Sequence, residues 1–337
     1  MPSRSFLIAA FLVILGTAYA AYWHLMADRL EQGIERWAEQ QRAQGVEAGW
    51  RELTFDGFPL QFRARLSAPR LIQERGGNAW SWQAESLTLE ALPWQLHKIA
   101  FTSDGKQAAL LNGRELAFDR AEGTLRLDGS GRIAEADATL SRLALAPGAG
   151  LQGATAETLR LAARLPEEAP RGHTDPGLFV EADLSGLAIA SRQALPVEGP
   201  ADLSFRATLM GALPTPPDRT RLAAWRDAGG TLEIESLSLD WAPLSLDASG
   251  TLALDPALQP VGALSATLSG HGPLLQRLVA MGWVRPQDAS IAAVAFGVLE
   301  KPGSDGRPTL NTPVTVQDGF LYIGPSRLAP VPRIVWR

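Results

Sequence analysis

Across residues 46–337 apolar and polar side chains trade places at almost every step, and a chain written with a period of two folds into strands with one oily and one wet face. Leu60-Gln61-Phe62-Arg63-Ala64-Arg65-Leu66 is a clean short example, and Asp202-Leu203-Ser204-Phe205-Arg206-Ala207-Thr208-Leu209 holds the alternation for eight residues. Leu159, Leu161, Ala163 and Leu165 alternate in the same way with Arg160, Ala162 and Arg164. So do Leu244, Leu246, Ala248, Leu252 and Leu254 with Ser245, Asp247, Ser249 and Thr251. An antiparallel sheet with one solvated face follows. The phase slips at Glu235-Ser236, between Ile234 and Leu237, which predicts a β-bulge. Asp56-Gly57, Asp104-Gly105, Asn112-Gly113, Asp128-Gly129 and Asp318-Gly319 read as hairpin turns.

Weak internal repetition accompanies the alternation. Ala84-Glu85-Ser86-Leu87-Thr88-Leu89 returns as Ala156-Glu157-Thr158-Leu159-Arg160-Leu161 and as Ile234-Glu235-Ser236-Leu237-Ser238-Leu239. These segments are either true repeats or half-buried strands of similar composition. Helices interrupt the strands at 217–228 and 273–281, each with proline at its start and glycine at its end. Residues 287–299 fit helix or strand equally, because Ala, Val and Phe suit both. The Pro-rich, charged segment 166–176 reads as a loop dividing a first sheet half, 46–165, from a second, 177–337, with its helical insertions near 217–228 and 273–299.

The N-terminus adds a location. Residues 6–23 (FLIAAFLVILGTAYAAYW) carry no formal charge and reach about 27 Å as a helix, close to the ~30 Å of a bilayer core. Tyr22 and Trp23 suit the interface. Residues 1–5 then form a short cytoplasmic end, 6–23 a transmembrane signal anchor and 24–45 a helical stalk, with Met26, Leu30, Ile34 and Trp37 opposite Asp28, Arg29, Glu31, Glu35 and Arg36. Ala18-Tyr19-Ala20 also fits a small-x-small cleavage site, so retention and cleavage after Ala20 both stand. Either places the body outside the cytoplasm.

Composition narrows the chemistry. The chain has no cysteine, which excludes disulfides, zinc–thiolate sites and a cysteine nucleophile. A formal charge of −5 and a sequence pI near 5.5 leave no basic footprint for nucleic acid. His24, His97, His173 and His271 are too scattered for a local ligand motif, and no metal or cofactor is expected. Gly148, Gly150 and Gly153 match G-x-G-x-x-G, but an alternating strand follows where a dinucleotide site needs a helix, so they are read as a turn. No nucleophile elbow, P-loop, zincin helix or EF-hand loop is present, and the dispersed carboxylates read as solvated strand faces. The expectation is a protein that is not an enzyme. Trp50, Trp80, Trp82, Trp94, Trp225, Trp241, Trp283 and Trp336 read as core or rim anchors, with lipid or glycan contact as the sharper alternative.

Phe55-Asp56-Gly57-Phe58-Pro59-Leu60, running on through the Leu60 to Leu66 strand, resembles the opening motif of the bacterial domain-of-unknown-function family 2125. Val316-Gln317-Asp318-Gly319-Phe320-Leu321-Tyr322-Ile323-Gly324-Pro325 resembles its closing motif. The resemblance extends distantly to AsmA-like envelope proteins. It implies a single-pass protein of the bacterial inner membrane whose periplasmic body is a long, curved antiparallel sheet, associated in the AsmA-like group with moving phospholipid through an apolar groove. It carries over no catalytic residues. The expected fold is therefore mainly β, an AsmA-like groove or a sandwich, with a few short helices behind an N-terminal transmembrane helix and stalk. An apolar face too large for those helices must close on itself, meet a partner or hold acyl chains. Leu60, Phe62, Leu66, Leu203, Phe205, Leu244 and Leu246 are the candidate groove residues. Three functions follow: binding or shuttling of phospholipid acyl chains, a non-catalytic adaptor for other envelope proteins, and a hydrolase or glycan-active enzyme with a dispersed site.

Overall fold

A computed structural model describes residues 4–73, 79–111, 113–148, 152–191, 194–214, 218–303, 308–323 and 326–336, with side chains from residue 11 onward in the first helix. The fold is mainly β, entirely antiparallel in its described pairings, with few helices. It forms two compact units, 1–146 and 147–337. Segment 165–175 joins two paired strands inside the second unit.

The first unit begins with α1 (Arg4–Ala43), one unbroken helix about 60 Å long at 1.5 Å per residue. Nine strands follow: β1 (Glu47–Gly49), β2 (Glu52–Asp56), β3 (Phe62–Ser67), β4 (Arg70–Gln73), β5 (Trp80–Ala84), β6 (Ser86–Leu92), β7 (Gln95–Leu111), β8 (Arg114–Leu127) and β9 (Ile133–Leu145). One side of β7 pairs with β8, and β8 with β9. The other side takes two branches. The first half of β7 pairs with β6, which leads to β3 and β2; the second half pairs with β5, which leads to β4 and β1. Neither branch returns to β9 among the described pairings, so this sheet stays open.

The branch point has a local cause. Asp104-Gly105, expected as a hairpin turn, is a bulge inside β7, where the register to β8 shifts between Asp104 and Gln107. Gly105 has φ +92°, and a Cβ there would lie 2.3 Å from the Glu85 Oε2. Glu85 is the single residue separating β5 from β6. Ser103 Oγ donates to the Ser86 carbonyl at 2.5 Å and Gln107 Nε2 to the Ser103 carbonyl at 3.0 Å, so the switch between branches is hydrogen-bonded as well as shaped. The repeated hexapeptide behaves alike elsewhere. Glu157 packs against left-handed Gly186, and the expected bulge appears between Ile234 and Leu237. Asp56-Gly57, Asp128-Gly129 and Asp318-Gly319 lie between successive paired strands as expected; Asn112 lies outside the described residues.

Register carries one apolar face across the first branch. Phe55 pairs with Ala64, Ala64 with Leu89, Leu89 with Phe101 and Phe101 with Gly123. A Cβ on Gly123 would meet the Phe101 Cζ at 2.7 Å, so only glycine fits beneath that ring. The opposite face carries Arg63 between Glu90 at 2.5 Å and Asp56 at 3.3 Å, with Arg65 2.9 Å from Asp56. Such part-exposed pairs contribute about 0–1 kcal/mol each, and they mark the wet side. α1 packs onto the apolar side through Trp23 and Ala27 against Phe62, with Met26, Leu30, Phe55 and Leu96 around them. Further along, the helix buries Ala38, whereas Trp37, expected on the inner stripe, is 45% exposed. Alanine lets the helix approach the strands closely, a role that hydrophobic weight alone does not reveal.

The second unit holds β10 (Ala154–Arg164), β11 (Pro176–Ile189), β12 (Ala201–Met210), β13 (Leu232–Trp241), β14 (Leu244–Leu254), β15 (Pro260–Ser269), β16 (Glu300–Pro302), β17 (Pro308–Gln317), β18 (Phe320–Ile323) and β19 (Ser326–Pro330). Strands β10 to β15 pair in sequence, and β15 then pairs with β17. β16 and β18 share the far side of β17, and β19 pairs with β18. The strand order does not return on itself within this unit. α2 (Arg219–Asp227) is capped by Asp218, whose carboxylate accepts from the Arg221 N–H at 2.9 Å; that bond holds the Asp218 pKa below the usual carboxylate range. The expected proline start at Pro217 lies outside the described residues. α3 (His271–Ala280) and α4 (Pro286–Leu299) follow, the latter resolving as helix the segment that suited both periods. Among the described residues no helix is long and apolar enough to cross a membrane.

Candidate functional site

The register of the second unit aligns one apolar position on each of seven strands. Leu159 pairs with Leu184, Leu184 with Leu203, Leu203 with Leu239, Leu239 with Leu246, Leu246 with Leu268 and Leu268 with Leu310. Seven leucines thus form one row perpendicular to the strands, about 29 Å long at ~4.8 Å per strand. A second apolar row on the same face runs through Leu178, Leu209, Leu232, Leu252, Gly262, Val316 and Leu321. Phe205 opposite Leu237 lies between the two rows. The next position along each strand points the other way, and there Arg160, Asp183, Ser204, Ser238, Asp247, Thr267 and Asn311 make an equally continuous polar row. Ser238 Oγ donates to Asp247 at 2.5 Å, and Thr267 Oγ1 to Asn311 Oδ1 at 2.8 Å.

Six of the seven leucines remain only half-buried, and Leu310 alone falls to 7% exposure. In a packed core such side chains are enclosed, so this face still has contact area to offer. α2 docks through Trp225, whose Nε1 donates to the Met210 carbonyl at 2.8 Å, beside Leu209 of the second row.

The candidate residues separate into three groups. Leu203 and Leu246 belong to the leucine row, Phe205 lies beside it, and Leu244 is one step further along β14, opposite Trp241; all four are half-buried. Phe62 and Leu66 lie on the first unit's apolar face at 2% and 5% exposure, with Trp23 stacked on Phe62 at 5.3 Å. Leu60 precedes β3, in the turn after β2, and is 68% exposed. Leu159, Leu184, Leu239, Leu268 and Leu310 complete the row and are not among the groove candidates that the sequence offers. Their alternation is visible there; their alignment is not.

One histidine is buried against a carboxylate. Buried His271 has Nε2 2.7 Å from Glu300 Oε1 and its ring edge-on to Phe296. Ser290 lines the same cavity, but its hydroxyl donates to the Pro286 carbonyl at 2.9 Å, within its own helix. The pair therefore ties the start of α3 to β16. No group of three or more His, Asp or Glu among the described residues is placed to hold a metal ion. The glycine motif at 148–153 falls partly outside the described residues, and strand β10 follows it.

Residues 23–332 match the family described as an uncharacterized protein conserved in bacteria, DUF2125. The chain belongs to this family. Among curated proteins none matches it. The DUF2125 match spans both terminal motifs, which the structure places on the β2 to β3 and β17 to β18 hairpins, with Gly324 and Pro325 outside the described residues.

Proposed function

We propose that this DUF2125 chain is a single-pass protein of the bacterial inner membrane that holds or shuttles phospholipid acyl chains on the apolar face of its second unit, in the periplasm. The half-buried leucine row carries this reading. It supplies a continuous hydrocarbon strip without a buried charge, which acyl chains match and polar ligands do not. The reading also takes the sheet as a long, curved, AsmA-like trough. The anchor rests on residues 6–23 and on Phe11, Leu12, Val13, Ile14 and Leu15, which are 55–68% exposed. At 100° per residue these five reach all sides of α1, the pattern of a helix surrounded by lipid. A second reading, a non-catalytic adaptor for envelope proteins, draws on α4, where Ile291, Val294 and Val298 form a stripe 71–80% exposed.

Native mass spectrometry of the full chain released from detergent micelles tests the lipid reading. Retained phospholipid masses are expected. A lipid-free protein with intact strand content by circular dichroism would instead favour the adaptor.

A further inference from the structure

The first unit fastens two apolar turns beside the end of the proposed anchor. Tyr19 and Tyr22 are three residues apart and so lie on the same side of α1. The Tyr19 hydroxyl donates to the Pro59 carbonyl at 2.5 Å, and the Tyr22 hydroxyl to the Pro93 carbonyl at 3.0 Å. Each proline sits between two exposed apolar residues: Phe58 at 50% and Leu60 at 68% in the turn after β2, and Leu92 at 37% and Trp94 at 62% where β6 passes to β7. Phe58 is further held by Trp23, edge-on at 5.5 Å, and by His24, stacked at 5.9 Å. Neither Gly57 to Gln61 nor Ala91 to Leu96 contains a charged residue.

A single exposed leucine needs no explanation, but four large apolar side chains on two turns tied to one helix do. Their height is set by the helix. Tyr19 and Tyr22 lie within the last five residues of the proposed span, 6–23, whose outer end is where a bilayer's hydrocarbon gives way to headgroups. We propose that these two turns are a membrane-inserting platform, with Phe58, Leu60, Leu92 and Trp94 seated in the phospholipid interface next to α1. The platform rests on the anchor reading. It fixes how the first unit meets the bilayer, because a body held by one helix alone is free to tilt. The turns carry no cation, so their insertion depends on apolar contact and not on anionic lipid.

The chain's lack of cysteine makes the test direct. Full-length protein with a single spin-labelled cysteine at Val13, Leu60, Trp94 or the polar-face position Ser238 is reconstituted into phosphatidylcholine vesicles. Collisions with oxygen and with a water-soluble nickel chelate are then compared. The oxygen-to-nickel ratio at Leu60 and Trp94 is expected to exceed that at Ser238 several-fold, to fall below that at Val13, and to stay unchanged when anionic lipid is added. A shielded Val13 with Leu60 and Trp94 as open to nickel as Ser238 would overturn the platform and leave the anchor standing. An open Val13 would remove both.

Discussion

Replacing Trp23 with alanine is expected to cost the first unit about 3–5 kcal/mol. At roughly 2–4 °C per kcal/mol for a unit of this size, the melting temperature falls by about 6–20 °C. Trp23 is 4% exposed, stacks on Phe62 and donates its indole N–H to the Gln61 carbonyl at 3.2 Å. Alanine therefore leaves a cavity over Phe62 and a carbonyl without its donor. Trp37→Ala is the internal control: its side chain is 45% exposed, and a surface change of that kind shifts stability by about 0.5 kcal/mol or less. Thermal unfolding of both variants in micelles checks the contrast. If Trp23→Ala melts with the wild type, α1 is not packed on the sheet as described. The same geometry makes Phe62 unsuitable for probing ligand binding, since a change there perturbs the core first.

The second large effect belongs to the leucine row. Leu203→Asp combined with Leu246→Asp brackets Leu239 on both sides, because the three pair across β12, β13 and β14. Two carboxylates then interrupt the hydrocarbon strip, and an acyl chain laid along it must desolvate them. An unpaired polar group costs about 1–3 kcal/mol to bury, so two of them weaken retention by at least tenfold. The fold itself is expected to persist, since both positions are only half-buried and each carboxylate can reach water. Quantifying retained phospholipid against wild type, with circular dichroism alongside, decides the matter. Undiminished lipid in a folded double variant would place the lipid elsewhere.

Local pattern made much of this fold readable. Alternation identifies the strands bearing Leu203 and Leu246 and the face each side chain takes, since that information lies within two residues of each position. The slip at Glu235-Ser236 was visible for the same reason. Asp104-Gly105 misleads because a left-handed glycine serves a bulge as well as a turn; only the distant Glu85 decides between them. The cover over Phe62 was hidden too, since Trp23 and Phe62 are joined by tertiary packing alone. The leucine row is the largest feature that no local reading reveals. Seven leucines scattered between positions 159 and 310 become neighbours only through the register of six strand pairs.

The most direct measurement is photo-crosslinking in living cells, with a benzophenone amino acid placed at Leu239 or, one residue away on the opposite face, at Ser238 of the full chain. Intact-mass analysis after irradiation is expected to show phospholipid added at Leu239 and none at Ser238. Phospholipid at neither position, or equally at both, would contradict a lipid-bearing apolar face, and protein adducts confined to Leu239 would make that face an adaptor surface.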